Sequence, residues 1–323
     1  MKPDISIVMS IYNESKFEIE LAINSILSQS FSNYEFIIVN DNCRRSLNKE
    51  ILDSYASLDR RIEVIHNIHN AGLAESLNTA IRRSKGKYIA RMDADDISMP
   101  ERLQKQYDVI CQKQYDVVCT RFSRIGEDDR EKTSESKDSS FFSSYQLEHD
   151  LPITSHIHHP TVMMTREIVE RVGLYRGFRR SQDFDLWLRI LYAKGKFYMI
   201  DEVLLLYRIR SSSISSVQKV KQKYTLEYIR KLYIERLLNG TDSFSNERYN
   251  NFLLSMIYDE SKMDILIRKG DAILDSANEY IQKKKLKGYF KKIYVFISNP
   301  VYRHIYFSLI VDSFKIWILN KIK

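Results

Sequence analysis

The chain has 323 residues, of which 44% are hydrophobic and 28% charged, a composition that excludes a disordered or membrane-spanning chain. Its length accommodates one large α/β domain with an appendage. The net charge of +8 is uneven, because residues 281–323 contain ten Lys or Arg and one acid, so the other 280 residues sum to −1. A near-neutral body with a basic end predicts a local anionic partner and no nucleic-acid surface.

The first 125 residues alternate apolar runs with helical patterns, as expected for repeated βαβ units. The predicted strands are Ile5–Met9, Phe36–Asn40, Ile62–Ile65, Lys87–Met92 and Asp116–Thr120. The predicted helices between them are Phe17–Gln29, Asn48–Ser57, Leu73–Ser84 and Pro100–Lys113. These elements predict a doubly wound, mostly parallel central sheet.

The pattern changes after the fifth strand. Residues 126–144 are rich in Ser, Asp, Glu and Lys and predict a flexible loop. Further elements are expected at 159–165, 166–172, 182–193, 196–200 and 203–209, the last two as separate strands. Because residues beyond 215 are helical in pattern, we expect an α/β domain over 1–215 and a helical region over 216–323.

An acidic run, Asp93-Ala94-Asp95-Asp96, directly follows the fourth strand. Ligands bind at the carboxyl ends of strands in open α/β sheets, and two carboxylates one residue apart can hold a hard divalent ion that also binds phosphate oxygens. The run therefore predicts a nucleoside diphosphate ligand. The alternative is a surface turn or a helix cap, since a helix is expected to start near Pro100.

Polar loops also follow the first two strands, at Ser10–Glu14 and Asn40–Cys43. In a doubly wound sheet these loops are neighbours and can hold a nucleotide base. Asp41 can accept a hydrogen bond from an imide N–H and Tyr12 can stack on the ring, which suits uridine. The alternative is that both loops are ordinary turns.

These motifs, in this order, resemble the family 2 glycosyltransferases of the GT-A fold. The matching segments are Ile7–Asn13, Ile23–Phe31, Tyr34–Asp41, Asn70–Leu73 through Leu77-Asn78, Asp93–Asp96, His159–Thr161, Gln182–Arg189 and Tyr207-Arg208.

The resemblance implies a metal-dependent, inverting enzyme that moves a sugar from a UDP-sugar to an acceptor hydroxyl. It implies that Asp41 contacts uracil, Asp93 lies against the ribose and diphosphate, Asp95 binds Mn²⁺ or Mg²⁺, and Asp183 is catalytic. The other expected nucleotide-sugar contacts are Ser10, Tyr12, Asn13, Glu14, Gly72, Asn78, Arg91, Ala94 and Arg208. Residues expected on the acceptor or donor-sugar side are Asp96, His159, Gln182 and Trp187.

The chemistry expected of Asp183 also has a physical argument. A hydroxyl nucleophile needs a carboxylate within hydrogen-bond reach, and the apolar neighbours Phe184 and Trp187 would raise the pKa of that carboxylate usefully. Alternatively, Asp183 and Asp185 are helix N-terminal acids that oppose the macrodipole.

Several positions depart from the family pattern or remain ambiguous. Asn40 stands where the family usually has Asp, so uracil recognition should rest on Asp41. Arg210 stands where members often have His; Arg208 and Arg210 either pair with the diphosphate or end a surface strand. His158 is either an acceptor-loop residue or a turn residue.

The basic end interleaves Lys with Tyr, Phe, Ile and Trp and has no uninterrupted apolar window long enough to span a bilayer. It predicts binding to an anionic membrane surface, where a polyprenyl-diphosphate-linked acceptor would be found, or else packing as a helical appendage. Three scattered cysteines and no export signal predict a cytoplasmic enzyme, peripheral on the inner face of the cytoplasmic membrane.

We therefore expect a role in bacterial capsule, O-antigen or exopolysaccharide synthesis. A sugar nucleotidyltransferase is the enzymatic alternative, but it should have a Gly-rich loop after the first strand, which Ser10–Glu14 lacks. A non-catalytic membrane-recruited scaffold is the other alternative, and it should lack an acid at Asp95 or Asp183.

Overall fold

The computed structural model describes residues 2–126, 138–209, 219–282 and 286–322. The chain divides into two compact units, Met1–Arg210 and Ser211–Lys323. The boundary predicted at 215, most of the predicted loop, Arg210 and the triplet Lys283–Lys285 lie outside the described residues.

The first unit is built on one mixed sheet. Its strands are β1 (Ile5–Ile11), β2 (Tyr34–Asn40), β3 (Ile62–His66), β4 (Tyr88–Asp93), β5 (Ile97–Ser98), β6 (Val117–Ile125), β7 (Met163–Thr165) and β8 (Phe197–Arg208). Their order is β3-β2-β1-β4-β7-β6-β8-β5. Neighbours pair in parallel except β7 with β4 and β6, and β5 with β8. The prediction of an α/β, mostly parallel sheet is confirmed.

Helices connect the strands of this unit. They are α1 (Lys16–Leu27), α2 (Ser46–Leu58), α3 (Leu73–Arg83), α4 (Arg102–Lys113), α5 (Ser144–Asp150), α6 (Arg166–Arg171) and α7 (Gln182–Tyr192), with a 3-10 turn at His159–Thr161. Helix α1 shows why they form where they do. Ser15 and Glu18 make a reciprocal capping box at its start, an arrangement that contributes about 1 kcal/mol. One face, including Ile19 and Ile23, is fully buried in the core.

The sequence prediction was wrong about β8, the last strand in chain order. Instead of two strands, β8 is continuous, and Asp201 and Glu202 are exposed within it. The pairing of β8 with β6 shifts register around Arg121. Such an irregularity lets a strand pass two polar residues without ending, because they turn to solvent while pairing resumes beyond them.

The pairing register of β1, β2 and β4 brings the polar loops that follow them to one edge of the sheet. Strand β1 lies between β2 and β4, and Ser10 pairs with Val39 on one side and Asp93 on the other. The reversal of strand order lies between β1 and β4. The carboxyl ends of these three parallel strands therefore form the floor of a ligand site.

The second unit is helical over its described residues. It contains α8 (Lys219–Asn239), α9 (Asn246–Met256), α10 (Glu260–Gln282), α11 (Lys287–Ser298) and α12 (Pro300–Ile322). Its core includes Tyr224, Met263, Ile267, Val295 and Tyr302. Among the described residues, no helix is long and apolar enough to cross a membrane.

Candidate active site

The loop between β3 and α3 is fastened to Asp41 at the end of β2. The buried Asp41 carboxylate accepts hydrogen bonds from Asn67 Nδ2 and from the backbone N–H groups of Ala71 and Gly72, each at 2.8 Å. Gly72 has φ of +83°, a conformation that favours glycine. Because Asp41 Oδ2 receives only the Gly72 bond among these, it keeps capacity to accept one more donor.

The loop after β1 is open to solvent. Tyr12 and Asn13 are exposed and Glu14 is half-buried. The loop is held from below by Asn48, which donates to the Tyr12 carbonyl at 3.0 Å, and by Asn42, which donates to Asn13 Oδ1 at 2.8 Å. The exposed Tyr12 ring lies on the same sheet edge as Asp41.

The acidic run forms a compact cluster at the end of β4. Oxygens of Asp93, Asp95 and Asp96 lie within 4.8 Å of one another. Asp93 also forms an ion pair with Arg91, whose side chain is buried beneath the site. Ala94 is buried as well, so Arg91 and Ala94 support the cluster from within rather than forming its surface.

Asp96 is the buried member of this cluster. Its Oδ1 accepts a hydrogen bond from the Arg208 backbone N–H at 2.9 Å, whereas Oδ2 has no hydrogen-bond partner among the described residues. Burial and the nearby charges of Asp93 and Asp95 raise its pKa well above the usual carboxyl value. Three crowded carboxylates with an unsatisfied buried oxygen fit a divalent cation, which would relieve their repulsion.

The helix-cap alternative for Asp96 is wrong. Helix α4 starts at Arg102, its N-terminal flanking residue is Glu101, and Asp96 precedes the short strand β5. The reason is that Asp96 is turned into the interior to bind the β8 backbone, which leaves it no access to the first turn of α4.

Arg208 at the end of β8 is fixed under the cluster. Its Nε donates to the Asp95 carbonyl at 2.8 Å and its Nη1 donates to the Gly126 carbonyl at 3.0 Å. The side chain is buried and also lies 3.8 Å from Glu18. Arg208 therefore adds positive charge beneath the predicted diphosphate position while it orients the Asp95 backbone.

Asp183 lies in the first turn of α7, beside the acidic cluster. Burial, the largest influence, raises the pKa of its carboxyl group; backbone hydrogen bonds and Arg91 act in the opposite direction, and Asp93 raises it further. The interactions with Arg91 and Asp93 show that this end of α7 faces the end of β4. A carboxylate with raised proton affinity beside an acidic cluster can accept a proton from a hydroxyl group.

Asp185 has a different environment. It is buried and paired with Arg189 at 2.8 Å, and Arg189 also donates to the Val172 and Leu174 carbonyls. Asp185 is thus a structural residue that attaches α7 to the turn after α6.

Two predicted contacts need correction. Trp187 is fully buried in α7, so its ring packs in the core and has no face for a sugar. Asn78 is also buried, and its side-chain amide pairs with the Tyr175 backbone through bonds of 2.8 and 2.9 Å. Both side chains therefore pack in the interior and support the site without contacting a ligand. Gln182 and His159, predicted on the acceptor or donor-sugar side, are also buried.

Sequence reasoning overlooked two tyrosines. The Tyr175 hydroxyl forms a 2.7 Å hydrogen bond with His159 Nε2, and burial raises the pKa of Tyr175, while the charge of Arg91 lowers it and that of Asp183 raises it. Tyr207 is half-buried, and burial together with Asp93, Asp96 and Asp95 raises its pKa. The available sequence signals were the position of Tyr207 directly before Arg208 and the position of Tyr175 two residues after Gly173, a residue type common in turns.

Similarity to known proteins agrees with this geometry. The sequence model of the family described as "Glycosyl transferase family 2" matches residues 6–173. An uncharacterized glycosyltransferase of Methanocaldococcus jannaschii, MJ1057, is 34% identical, with 70% of this chain and 79% of that protein aligned. The O-antigen biosynthesis glycosyltransferase WbnJ of Escherichia coli is 32% identical, over 65% of this chain and 81% of WbnJ.

Solved structures show the same fold. TarS 1-349 of S. aureus in complex with UDP-GlcNAc superposes with a TM-score of 0.61 at 14% identity, covering 98% of this chain and 90% of that one. The chain spans 54% of a longer TarS structure. These likenesses confirm the predicted fold class. The family match and the identity to MJ1057 together show that the chain belongs to glycosyl transferase family 2 and is a glycosyltransferase.

Proposed function

We propose that this enzyme transfers a sugar from a UDP-sugar to a hydroxyl group of a glycan acceptor, with inversion at the anomeric carbon. The observation that supports this most directly is the juxtaposition of the Asp93, Asp95 and Asp96 cluster with Asp183. A single displacement must remove a proton from the acceptor while negative charge grows on the departing UDP. The two sets of carboxylates suit these two tasks.

Asp183 would act as the general base. Its raised pKa improves its ability to take a proton from an acceptor hydroxyl, and it is the half-buried acid at the start of α7. Attack by that hydroxyl from the face opposite the leaving UDP gives inversion.

Asp95, with Asp93 and Asp96 beside it, would hold Mn²⁺ or Mg²⁺. When bound, such an ion neutralises charge on the leaving diphosphate. Arg208 would add to this charge from below the cluster.

Asp41 and Tyr12 would hold the uracil. The remaining acceptor capacity of Asp41 Oδ2 suits an imide N–H, and the exposed Tyr12 ring suits stacking. Ser10, Asn13, Glu14 and Gly72 would complete the nucleotide contacts on the same edge.

We further propose a role in bacterial surface polysaccharide synthesis, because WbnJ is named for O-antigen biosynthesis. The name of the TarS complex supports a UDP-sugar donor. A polyprenyl-diphosphate-linked acceptor would require the enzyme to lie on the cytoplasmic face of the membrane. The exposed aromatic and basic side chains of α11 and α12 suit an anionic lipid surface.

A UDP-release assay across UDP-sugars tests this function. With Mn²⁺ or Mg²⁺, we expect one or a few UDP-sugars to release UDP, and we expect EDTA to abolish release. Release that is unchanged by EDTA would contradict the metal requirement. Failure of all UDP-sugars, alongside release of another nucleotide from its nucleotide-sugar, would contradict the UDP specificity.

A further inference from the structure

His158 has an unusual environment beside the acidic cluster. One face of its imidazole stacks on Phe122 with ring centroids 4.2 Å apart, and the Tyr207 ring meets it edge-on at 4.8 Å. The side chain is half-buried against these rings, which project from the neighbouring strands β6 and β8. Two aromatic rings therefore fix the plane of the imidazole.

The ring nitrogens of His158 are not used to hold this position. Within the described parts of the chain, no hydrogen bond to either nitrogen is formed, whereas His156 and His159 each bond through Nε2. Because stacking alone holds the imidazole, its two ring nitrogens are available to bind a ligand.

The surroundings of His158 indicate where it lies in the site. Burial and then the charge of Arg124 lower the pKa of His158 to about 4, and Asp93 is near enough to oppose this shift in part. A neutral imidazole donates from one nitrogen and accepts at the other, as a hydroxyl-rich ligand requires. It is a weak partner for a phosphate.

The strand order indicates how a bound UDP-sugar would be oriented along the sheet. Asp41 lies on β2, Ser10 on β1 and Asp93 on β4, and the rings around His158 lie on β6 and β8, further along the same sheet. Strands are spaced by about 4.8 Å, so β4 and β6 are about 10 Å apart. If the uracil lies near Asp41 and the diphosphate near Asp93, the sugar lies next in line, towards His158.

We infer that His158 binds a hydroxyl group of the donor sugar and helps to determine which sugar the enzyme accepts. This inference rests on the proposed UDP-sugar donor and adds a residue that the family resemblance did not assign. His158 acts by recognition alone and takes no part in proton transfer.

Comparing affinity for UDP with affinity for a UDP-sugar tests the inference. The probes are UDP and whichever of UDP-glucose, UDP-galactose, UDP-GlcNAc and UDP-GalNAc binds wild-type protein most tightly in Mn²⁺. In His158→Phe, which keeps a ring on Phe122 but removes both nitrogens, we expect UDP-sugar affinity to fall about threefold to tenfold. UDP affinity should stay within about twofold of wild type.

Two further variants sharpen the test. His158→Gln restores an amide donor and acceptor and should recover part of the lost affinity. His156→Ala is the matched control, because His156 also stacks on a phenylalanine, Phe142, but its Nε2 is committed to Asp150 at 3.0 Å. It should leave the ratio of the two affinities unchanged.

Equal losses of UDP and UDP-sugar affinity in His158→Phe, or no loss of either, would overturn this inference alone. A wild-type protein that binds UDP but none of the four UDP-sugars would overturn the proposed donor class together with it.

Discussion

Asp183 and Asp185 are two residues apart on one helix, and we propose different roles for them. Burial raises the pKa of the Asp183 carboxyl group, whereas Asp185 is buried in an ion pair with Arg189. The ion pair commits the Asp185 oxygens to fixing α7 in place, whereas we propose that Asp183 reacts with the acceptor.

The raised pKa of Asp183 predicts the acid side of the pH profile. The proposed base works only as a carboxylate. Because its pKa is raised, it becomes protonated at a higher pH than an ordinary Asp as the pH falls, and transfer should be lost at that higher pH. We expect kcat, measured with saturating donor and acceptor, to reach half its maximum at a pH clearly above about 3.9, the usual pKa of an Asp side chain. UDP binding measured over the same pH range is the control. A half-maximum at or below that value would contradict the assignment.

The acidic cluster predicts an effect of metal on stability. Mn²⁺ should raise the Tm of wild-type protein because it binds the folded cluster, and Asp95→Asn should remove most of that increase. Without metal, Asp95→Asn should be at least as stable as wild type, since it removes a charge that raises the pKa of Asp96. Thermal unfolding with Mn²⁺ or EDTA measures both effects; an equal Mn²⁺ shift in the variant would exclude Asp95 as a ligand.

At the scale of elements, α7 depends on the ion pair between Asp185 and Arg189. Asp185→Asn leaves a buried guanidinium without its carboxylate, which should lower the free energy of unfolding by about 3 kcal/mol. Asp183→Asn is the matched control on the same helix and should not destabilise the protein, because it replaces a charge that burial disfavours. Urea unfolding distinguishes the two, and equal stabilities would contradict the structural role of Asp185.

The elements also show which features were readable from sequence. The β1, β2 and β4 ends could be predicted, because apolar runs followed by polar loops reveal where each strand stops. The interior of the site could not. Trp187 looked available for a sugar and Asn78 for a nucleotide, yet both are buried by contacts with residues distant in sequence, such as the pairing of Asn78 with Tyr175.

Strand β8 illustrates the same limit. Asp201 and Glu202 interrupt the apolar pattern, so two strands were predicted, but the strand continues and its pairing with β6 resumes at Val203. The local pattern of apolar and polar residues indicates which way side chains face, whereas pairing with neighbouring strands determines whether a strand continues.

At the scale of the whole molecule, the second unit combines a packed core with an exposed apolar face. Phe290 and Tyr294, one turn apart on α11, are 69% and 60% exposed, and Ile297 continues the same face. Yet Val295 on the same helix is buried in the core of the unit. Removing residues 281–323 would therefore destroy part of this core, so substitutions are the better test of membrane binding.

We expect Phe290→Ser with Tyr294→Ser to weaken binding to vesicles containing anionic lipid by about tenfold or more, because two buried aromatic contacts with the lipid are lost. The control is Leu254→Ser with Tyr258→Ser, which removes side chains that are 77% and 71% exposed in the same unit but outside the basic end. Vesicle co-sedimentation measures the difference. Equal binding by both double variants and wild type would favour the packing alternative.

The central claim is that Asp183 deprotonates the acceptor while other residues bind the donor. One comparison tests it most directly: UDP affinity and sugar transfer measured together in wild-type protein and Asp183→Asn. We predict that UDP affinity is preserved while transfer falls by a factor of about 10² or more. Near-normal transfer by Asp183→Asn would contradict the assignment of Asp183 as the base.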